Sequence, residues 1–283
     1  MDKSAVEITF DKHGNCNFCS EFIENYKSAK INSISSEFEL EKLLSSIKSD
    51  GKGKEYDCVM GVSGGVDSSF ALYNAKKLGL RPIAVHLDNG WNSELAVQNI
   101  QSLVETLQVD LQTHVINWAE FRDLQHSFIK AHVIDIELLT DNAMLALSYN
   151  TARKYGLKHI LTGSNSSTEG MRMPNNWNRF KYDLRNIKSI QKHFGSFEIT
   201  TLPTISTFGL IAHKIFRKIR WISFLDYFEY KKTNCIALLE DEIGFKPYPY
   251  KHYESVFTRF YQGYILPKKF GIDKRKLHLS NLI

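Results

Sequence analysis

A glycine-rich turn with the sequence SGGVDS, residues 63–68, is the part of the chain best suited to chemistry. A short apolar run, residues 56–62, precedes it, and a helical pattern follows at residues 69–79. Backbone N–H groups and the positive end of the helix dipole converge in such a turn, which favours phosphate binding. Glycine leaves room for the anion, and serine hydroxyls add donors. The pattern predicts these phosphate-binding residues: Ser63, Gly64, Gly65, Asp67 and Ser68.

Asp67 carries a negative charge inside this turn and would repel a bare polyphosphate. Its presence therefore indicates a bridging divalent cation, and we expect Asp67 to be a Mg²⁺ ligand. The turn lacks the lysine of the GxxxxGK[ST] loop and the spacing of the GxGxxG fingerprint, which excludes both of those nucleotide-binding classes.

Strand-like and helical segments alternate along the chain from Tyr56 onward, because apolar β-branched runs are separated by helical periodicity. Predicted strands cover residues 56–62, 81–87, 111–117 and 157–163, and predicted helices cover residues 36–49, 69–79, 93–108, 118–132 and 138–155. This order predicts an α/β fold, a doubly wound parallel sheet with a small N-terminal leader and an α-helical C-terminal region. Ligands of such sheets bind at the carboxyl ends of the strands.

Polar and glycine residues stand where two further strands end. Asp88, Asn89 and Gly90 follow the second predicted strand, and Gly163 ends the fourth. Since the carboxyl ends of parallel strands share one edge, we expect Asp88 and Asn89 to contact a nucleotide there. Gly163 permits a close backbone approach, and Ser164 beside it offers a donor.

Composition and charge exclude several classes of protein. The 283 residues are 43% apolar and 24% charged, which is ordinary for a soluble globular protein. A net charge of +5 suits an anionic substrate better than a nucleic-acid track, so no nucleic-acid partner is expected. We find no transmembrane run, no secretory signal core and no disulfide framework among the four cysteines, and we therefore expect a cytoplasmic protein.

The turn SGGVDS resembles the PP-loop of the N-type ATP pyrophosphatases, which split ATP into AMP and pyrophosphate. Together with ITFDKHGNCNFC (8–19) and the stretch 251–283, it resembles the WbpG-like N-acetyl sugar amidotransferases of bacterial surface-polysaccharide synthesis. The similarity extends over nearly the whole chain and implies a PP-loop ATPase fold of the adenine-nucleotide α-hydrolase-like type. It divides the chain into a leader (1–54), a PP-loop domain (55–200) and a helical substrate- or partner-binding region (201–283).

The resemblance implies an ATP-dependent amidotransferase of lipopolysaccharide O-antigen synthesis, with ATP and Mg²⁺ as cofactors. It would convert an acetamido group of a nucleotide-linked N-acetyl amino-sugar uronate into an acetamidino group through an adenylated imidate. Ser63, Asp67 and Ser68 would be catalytic, and Asp88 and Gly163 would flank the nucleoside. Basic residues among aromatic ones suit a diphosphate with a stacked ring. The substrate-binding residues expected in the C-terminal stretch are His252, Arg259, Lys268 and Lys269.

Cysteine usage bears on the partners and metals of the chain. No nucleophile-elbow pattern surrounds Cys58 or Cys235, so the chain has no glutaminase signature. The resemblance implies that a separate glutaminase and a barrel-type ammonia-channel subunit supply ammonia. Cys16 and Cys19 form a CxxC pair, half of a four-thiolate zinc site. Relatives carry an earlier pair and continue past HLSNLI, so we expect a chain shortened at both ends, with zinc bound only in a full-length form.

A PP-loop tRNA-modifying enzyme of the thiolase or lysidine synthetase type is the nearest alternative, because such enzymes adenylate a base carbonyl by the same chemistry. The modest charge of +5 and the lack of a CxxC at a strand end disfavour it. A further alternative is a non-catalytic member of a membrane-associated polysaccharide complex. Residues 208–228 mix basic and bulky apolar side chains, which is typical of a membrane-surface segment or of a helix packed against the sheet.

Overall fold

The computed structural model describes residues 1–31, 36–250 and 253–280. The strands found in these residues are β1 (Cys58–Gly61), β2 (Pro82–Asp88), β3 (Leu111–Val115), β4 (His159–Thr162) and β5 (Arg220–Ser223). All five pair in parallel as one sheet in the order β3-β2-β1-β4-β5 within the described residues. The connections reverse direction beside β1, so the turn that follows this strand lies at the switch point where α/β sheets bind ligands.

Helices surround the sheet. They are α1 (Asn17–Ile31), α2 (Ser36–Asp50), α3 (Val66–Lys77), α4 (Glu94–Leu107), α5 (Trp118–Lys130), α6 (Leu138–Lys154), α7 (Ser166–Glu169), α8 (Leu184–Phe194), α9 (Thr207–Ile215), α10 (Lys232–Ile243), α11 (Val256–Phe260) and α12 (Lys274–Ser280). A 3₁₀ turn (Phe224–Tyr227) follows β5, and α11 continues as a π-helical segment (Tyr261–Phe270).

Alternate side chains of the central strands enter cores on opposite faces of the sheet, as the two-residue period of a strand requires. Val59 and Val85 pack in the core that contains α5 and α6. Met60 and Ala84 pack in the core that contains α3, α4 and α10. Burial on both faces explains why β1 and β2 are nearly continuous apolar runs.

A smaller core joins the leader to distant parts of the chain. Its members come from the leader, from the loop after α7 and from the end of the chain: Ala5, Cys16, Phe18, Met171, Trp177, Ile272 and Leu277. Polar contacts reinforce it, because the indole Nε1 of Trp177 donates to the carbonyl oxygen of Ser4 at 3.0 Å and Lys276 pairs with Asp2. The leader is therefore packed against the C-terminal part of the chain.

The predicted α/β fold is confirmed, and each strand and helix predicted up to residue 163 is present with its ends shifted by a few residues. The largest shift concerns α3, which begins at Val66 inside the SGGVDS turn. Gly65 adopts an extended conformation (φ −80°, ψ 162°) as its N-cap. Asp67 and Ser68 consequently lie in the first turn of the helix.

The stretch 208–228 requires a correction, because it is not one helix packed against the sheet. Helix α9 ends at Ile215, Lys218 takes a positive φ of 55°, and the chain enters β5 beside β4. The side chains of Phe208 and Phe216 remain 84% and 82% exposed. The division of the chain at residues 54 and 200 stays a prediction, to which the structure adds that β5 of the sheet lies beyond residue 200. The short helix α7 lies in the stretch between β4 and α8.

The first helix of the C-terminal stretch begins at Val256, several residues after the stretch itself begins. Ser255 caps this helix, α11, and its Oγ accepts a hydrogen bond from the N–H of Thr258 at 3.2 Å. His252, predicted to bind the substrate, lies outside the described residues.

The aromatic residues of α11 and of its π-helical continuation include two stacked ring pairs. Phe257 stacks on Tyr261 with centroids 5.9 Å apart, and Phe260 stacks on Tyr264 at 5.7 Å. The first pair is buried and the second is exposed. No helix of the described residues combines the length and the apolar character needed to cross a membrane.

Candidate active site

The SGGVDS turn leaves β1 and enters α3 at the carboxyl edge of the sheet. Gly64 has a φ of +78°, and a Cβ atom there would lie 2.5 Å from the carbonyl oxygen of Ala96 in α4. Only glycine fits this position, because any side chain would collide with backbone. Gly65 caps α3 without a side-chain hydrogen bond among the described residues. The first N–H groups of α3 are therefore available to an anion.

The serine hydroxyls of the turn bond to one another. Ser68 Oγ accepts from the N–H of Ser63 at 3.2 Å, lies 3.1 Å from Ser63 Oγ and donates to the carbonyl oxygen of Gly65 at 3.2 Å. The N–H of Gly65 donates to Ser63 Oγ at 3.3 Å. These distances lie at or beyond the upper end of the usual range, so the bonds are weak and the donors can turn to a phosphate.

A tyrosine and an asparagine hold the outer side of the turn. Tyr248 donates its hydroxyl to the carbonyl oxygen of Gly64 at 2.8 Å, and burial raises its pKa to about 12. Asn99, buried in α4, also donates to that carbonyl at 3.4 Å and bonds the backbone of Lys246 on both its N–H and its carbonyl. The segment after α10 is thereby fastened to the phosphate-binding turn.

Asp67 is the second residue of α3. Its Oδ1 accepts a hydrogen bond from the hydroxyl of Tyr230, whose pKa is raised by burial and by the Asp67 charge. Gly163, at the end of β4, approaches so closely that a Cβ atom would lie 2.6 Å from the carbonyl carbon of Asp67. Gly163 therefore makes room for the first turn of α3. The roles of Asp67 as a Mg²⁺ ligand and of Gly163 beside the nucleoside stay predictions.

Asn92 ties together the polar residues at the end of β2. Its Nδ2 lies 3.0 Å from His86 Nε2 and 3.3 Å from Asp88 Oδ1. His86 Nδ1 lies 2.8 Å from the carbonyl oxygen of Val62, so in the neutral ring Nδ1 carries the proton and Nε2 accepts. Asp88 Oδ1 also accepts from the N–H of Gly90 at 3.0 Å, which fixes the turn after the strand.

A cavity of about 490 Å³ opens at this edge of the sheet, which is within the range of small-molecule sites. The strand ends and α6 form its floor and one side: Gly61, Val62, Ser63, His86, Leu87, Asn89, Asn92, Glu137, Thr140, Asp141, Met144, Ser148, Thr162 and Trp221. The C-terminal segment forms the opposite wall: Glu254, Ser255, Phe257, Thr258 and Gln262. The phosphate-binding turn and the C-terminal segment thus share one cavity.

Backbone pairing holds the C-terminal wall against the end of β2. Ser255 bridges to Asn92, the N–H of Ser93 donates to the carbonyl of Glu254 at 2.9 Å, and the N–H of Val256 donates to the carbonyl of Trp91 at 2.9 Å. This short antiparallel contact fixes the start of α11 over the cavity.

Two carboxylates on the cavity wall were not predicted from the sequence. Glu137 accepts from Gln262 Nε2 at 3.0 Å and lies 3.5 Å from Lys274 Nζ. Asp141 pairs with Lys181 Nζ at 2.8 Å. Burial lowers the pKa of Lys181, but Asp141 and the buried Asp135 outweigh that effect and raise it overall. The sequence carries no signal for these acids, because an acidic residue does not suit an anionic ligand and no motif contains them.

The structure brings some predicted site residues together and places others apart. Ser63 and Asn89 line the cavity, and Ser68 bonds to Ser63. Asp67 and Asp88 do not line it; they support the turn and the end of β2.

Three of the predicted cations of the C-terminal stretch, Arg259, Lys268 and Lys269, do not line the cavity. Arg259 lies over the ring of Tyr253, 4.8 Å from its centroid, and Lys269 Nζ donates to the carbonyl of Ile129 near the end of α5 at 2.8 Å. Lys268 is exposed. The substrate-binding roles of these cations and of His252 stay predictions.

The CxxC pair lies in the smaller core. Cys16 and Cys19 have their sulfur atoms 3.2 Å apart, and burial together with the contact to Cys16 raises the pKa of Cys19. The described residues contain no group of three or more His, Cys, Asp or Glu side chains arranged to hold a metal ion.

A parallel α/β sheet with this turn at its switch point defines an ATP-using PP-loop enzyme. Residues 57–205 match the profile of the family described as queuosine biosynthesis protein QueC. Since this match spans more than half of the chain, the chain belongs to the QueC family of PP-loop ATPases. Residues 254–283 match the C-terminal domain of the WbpG-like LPS biosynthesis proteins, so the predicted WbpG-like PP-loop protein is confirmed.

Solved structures with similar folds include NMN synthetase from Francisella tularensis, at 17% identity, covering 81% of this chain and 93% of that chain with a TM-score of 0.37. The NH3-dependent NAD synthetase from Campylobacter jejuni is 16% identical, with 76% and 99% coverage and a TM-score of 0.37. A 4-thiouridine synthetase in complex with RNA and ATP is 19% identical, with 80% and 52% coverage and a TM-score of 0.40. No curated protein matches the chain significantly.

Proposed function

We propose that this chain is an ATP-dependent amidotransferase that converts the acetamido group of a nucleotide-linked N-acetyl amino-sugar uronate into an acetamidino group, in the synthesis of an LPS O-antigen. One observation carries the proposal. Phe257, Thr258 and Gln262 of the WbpG-like segment line the same cavity as Ser63 of the PP-loop. If ATP binds at the PP-loop as proposed, the part of the chain that resembles a polysaccharide-synthesis protein would stand beside the α-phosphate that is attacked.

The first step would join the acetamido oxygen to the α-phosphorus of ATP and break the bond to pyrophosphate. The N–H groups at the start of α3 and the hydroxyls of Ser63 and Ser68 would hold the departing pyrophosphate. Mg²⁺, when bound to these phosphates, would neutralise their charge. Such an ion needs only one or two protein carboxylates. Asp67, with one carboxylate oxygen bonded to Tyr230, fits that limited part.

In the second step ammonia would attack the imidate carbon, and AMP would leave with the former acetamido oxygen. The product is an amidine, which takes up a proton and becomes a cation. Asp141 and Glu137 stand on the cavity wall and would stabilise this developing positive charge. These two carboxylates would repel an anion but would attract the cationic amidine product.

Ammonia would come from a separate glutaminase through a barrel-type channel subunit. The thiols of Cys58 and Cys235 are buried, and burial raises the pKa of each, which disfavours the thiolate that a glutaminase needs. We therefore expect the purified chain to use ammonium salts and not glutamine. Turnover with glutamine by the single chain would contradict this part of the proposal.

The test is release of AMP and pyrophosphate from ATP with ammonium and a panel of UDP-linked N-acetylated uronates. Substrate labelled with ¹⁸O in the acetamido carbonyl should transfer the label to the phosphate of AMP. Release of ADP and phosphate, or AMP without the label, would refute the adenylated imidate. Ser63→Ala should lose turnover and keep its fold, because this side chain is exposed.

A second candidate, a PP-loop enzyme that modifies tRNA or one of its bases, is favoured by the queuosine-biosynthesis family match over residues 57–205. Such an enzyme would adenylate a base carbonyl in the same cavity. Retention of tRNA that falls steeply with salt would support it, since the slope counts the phosphates that are neutralised. Sugar-dependent pyrophosphate release without tRNA binding would remove it.

A further inference from the structure

A second cavity, of about 620 Å³, lies beside the first. Its lining includes several aromatic rings and a basic pair from α5: Trp91, Phe197, Phe257, Phe260, Arg122 and His126. Its volume is in the range that holds nucleotide-sized ligands. The reaction steps described above leave this cavity unused.

Phe257 lines both cavities and is the partition between them. Its ring is 5.4 Å from that of Trp91 and stacks on Tyr261 at 5.9 Å. Trp91 is itself fixed, because its Nε1 donates to Oε1 of the buried Gln125 at 3.0 Å. A ligand in the second cavity would therefore meet rigid aromatic faces and would lie one side chain away from the PP-loop cavity.

Arg122 and His126 lie four residues apart on α5 and so share one face of the helix. Both side chains are exposed, and neither has a hydrogen-bond or ion-pair partner among the residues that the structure describes. Asp123 also lines this cavity, but its Oδ2 accepts from Gln191 and from the N–H groups of Ser196 and Phe197. Burial raises the pKa of Asp123, and these bonds lower it further than burial raises it.

We propose that the second cavity binds the nucleoside diphosphate part of the sugar substrate. Arg122 and His126 would bind the diphosphate, since a guanidinium and an imidazole donate charge-assisted hydrogen bonds to phosphate oxygens. The base would stack among Phe197, Phe260 and Trp91. The sugar would then pass Phe257 and present its acetamido group to the α-phosphate in the first cavity. This inference rests on the proposed function and names where its substrate is anchored.

The WbpG-like segment contributes residues to both cavities. Within residues 254–283, Phe260 lines the second cavity, Thr258 and Gln262 line the first, and Phe257 lines both. One helix would therefore position the nucleotide on one side and the reacting sugar on the other.

The experiment is calorimetric titration of the full chain with UDP, GDP and CDP, alone and with a non-hydrolysable ATP analogue present. At least one diphosphate should bind, and the ATP analogue should not displace it, because the two occupy different cavities. Arg122→Ala should weaken this binding about tenfold or more, as expected for the loss of a charge-assisted phosphate contact. Phe260→Ala should weaken it by about tenfold through lost stacking.

Lys192→Ala is the matched control, since it removes an exposed positive charge from α8 without lining the cavity, and it should bind the diphosphate as the native chain does. Absence of binding by all three diphosphates, displacement by the ATP analogue, or equal effects of Arg122→Ala and Lys192→Ala would overturn the inference. In turnover assays Arg122→Ala should raise the KM for the nucleotide sugar and leave the KM for ATP unchanged. Failure of the native chain to release pyrophosphate with any sugar would refute the proposed function instead, because the titration requires no turnover.

Discussion

The glycine at position 64 offers a sharp test of the phosphate-binding turn. Gly64 and Gly53 have nearly the same left-handed backbone, with φ values of +78° and +76°. A Cβ atom on Gly53 would meet nothing within 4 Å, whereas one on Gly64 would lie 2.5 Å from the carbonyl oxygen of Ala96. Alanine at either position carries the same conformational cost, about 1–2 kcal/mol. Only at Gly64 must the backbone also move.

The size of that movement follows from the contact. Ordinary van der Waals contact begins at 3.4 Å, so the turn and α4 must separate by about 0.9 Å at Gly64. A misplacement of about 1 Å in an active site costs on the order of 10²-fold in rate. We therefore expect Gly64→Ala to lose ATP binding and pyrophosphate release, while Gly53→Ala retains both.

Thermal unfolding and equilibrium binding of ATP separate the two effects. Gly53→Ala should lower Tm by about 2–8 °C, the shift that its conformational cost predicts for a chain of this size. Gly64→Ala should lower Tm by at least as much. If Gly64→Ala binds ATP as tightly as Gly53→Ala does, the turn is not shaped for phosphate and the reasoning is refuted.

Further predictions concern the support of the turn, pH and the surface. Tyr248→Phe removes a hydrogen bond worth about 1 kcal/mol and should raise the KM for ATP several-fold. Tyr250→Phe, at an exposed side chain nearby, should leave this KM unchanged. Equal KM values for the two variants would contradict the role of Tyr248 in holding the phosphate-binding turn. Burial lowers the pKa of His159, so the unfolded chain binds its proton more readily. The free energy of unfolding measured in urea should then fall as pH drops below about 6.5, and His159→Gln should flatten that slope. The side chains of Phe208 and Phe216 are 84% and 82% exposed, so serine at either position should change the free energy of unfolding by only about 0.5 kcal/mol. Flotation with anionic vesicles tests the membrane-surface alternative. If the native chain does not float with the vesicles, that alternative is removed.

Local sequence signals were sufficient for four of the five strands in the described residues and for the phosphate-binding turn. The runs that became β1 and β2 are buried on both faces, so their apolar character is continuous and easily recognised. Gly64 and Gly163 could be singled out as points of close approach, although the atoms they approach, in Ala96 and Asp67, belong to α4 and α3. A short-range sequence pattern shows that glycine is needed at a position, but it does not show which distant residue the glycine approaches in the fold.

The cavity wall could not be predicted in the same way. Gln262 and Glu137 meet across 125 positions of sequence, and their contact depends on how the C-terminal helix packs, which no local period encodes. The cations of the C-terminal stretch were predicted to bind substrate because of their charge. Lys269 Nζ instead donates to the carbonyl of Ile129 in α5, and Lys269 does not line the cavity. The strand β5 was not predicted, because it lacks the continuous apolar burial of β1 and β4: Arg220 and Trp221 are exposed, and Ile222 is half-buried.

The smaller core between the leader and the end of the chain has a consequence for biosynthesis. Trp177, Phe18 and Leu277 pack there, so Phe18 can complete its contacts only after the ribosome has added Leu277. The sheet and its glycine-rich turn can form earlier, because their strands end at residue 223. A nascent chain would thus form the phosphate-binding turn before the C-terminal wall of the cavity is present. ATP bound at that stage would have no acceptor beside it. Synthesis of the segment that carries Phe257, Thr258 and Gln262 would be the event that turns a nucleotide binder into a catalyst.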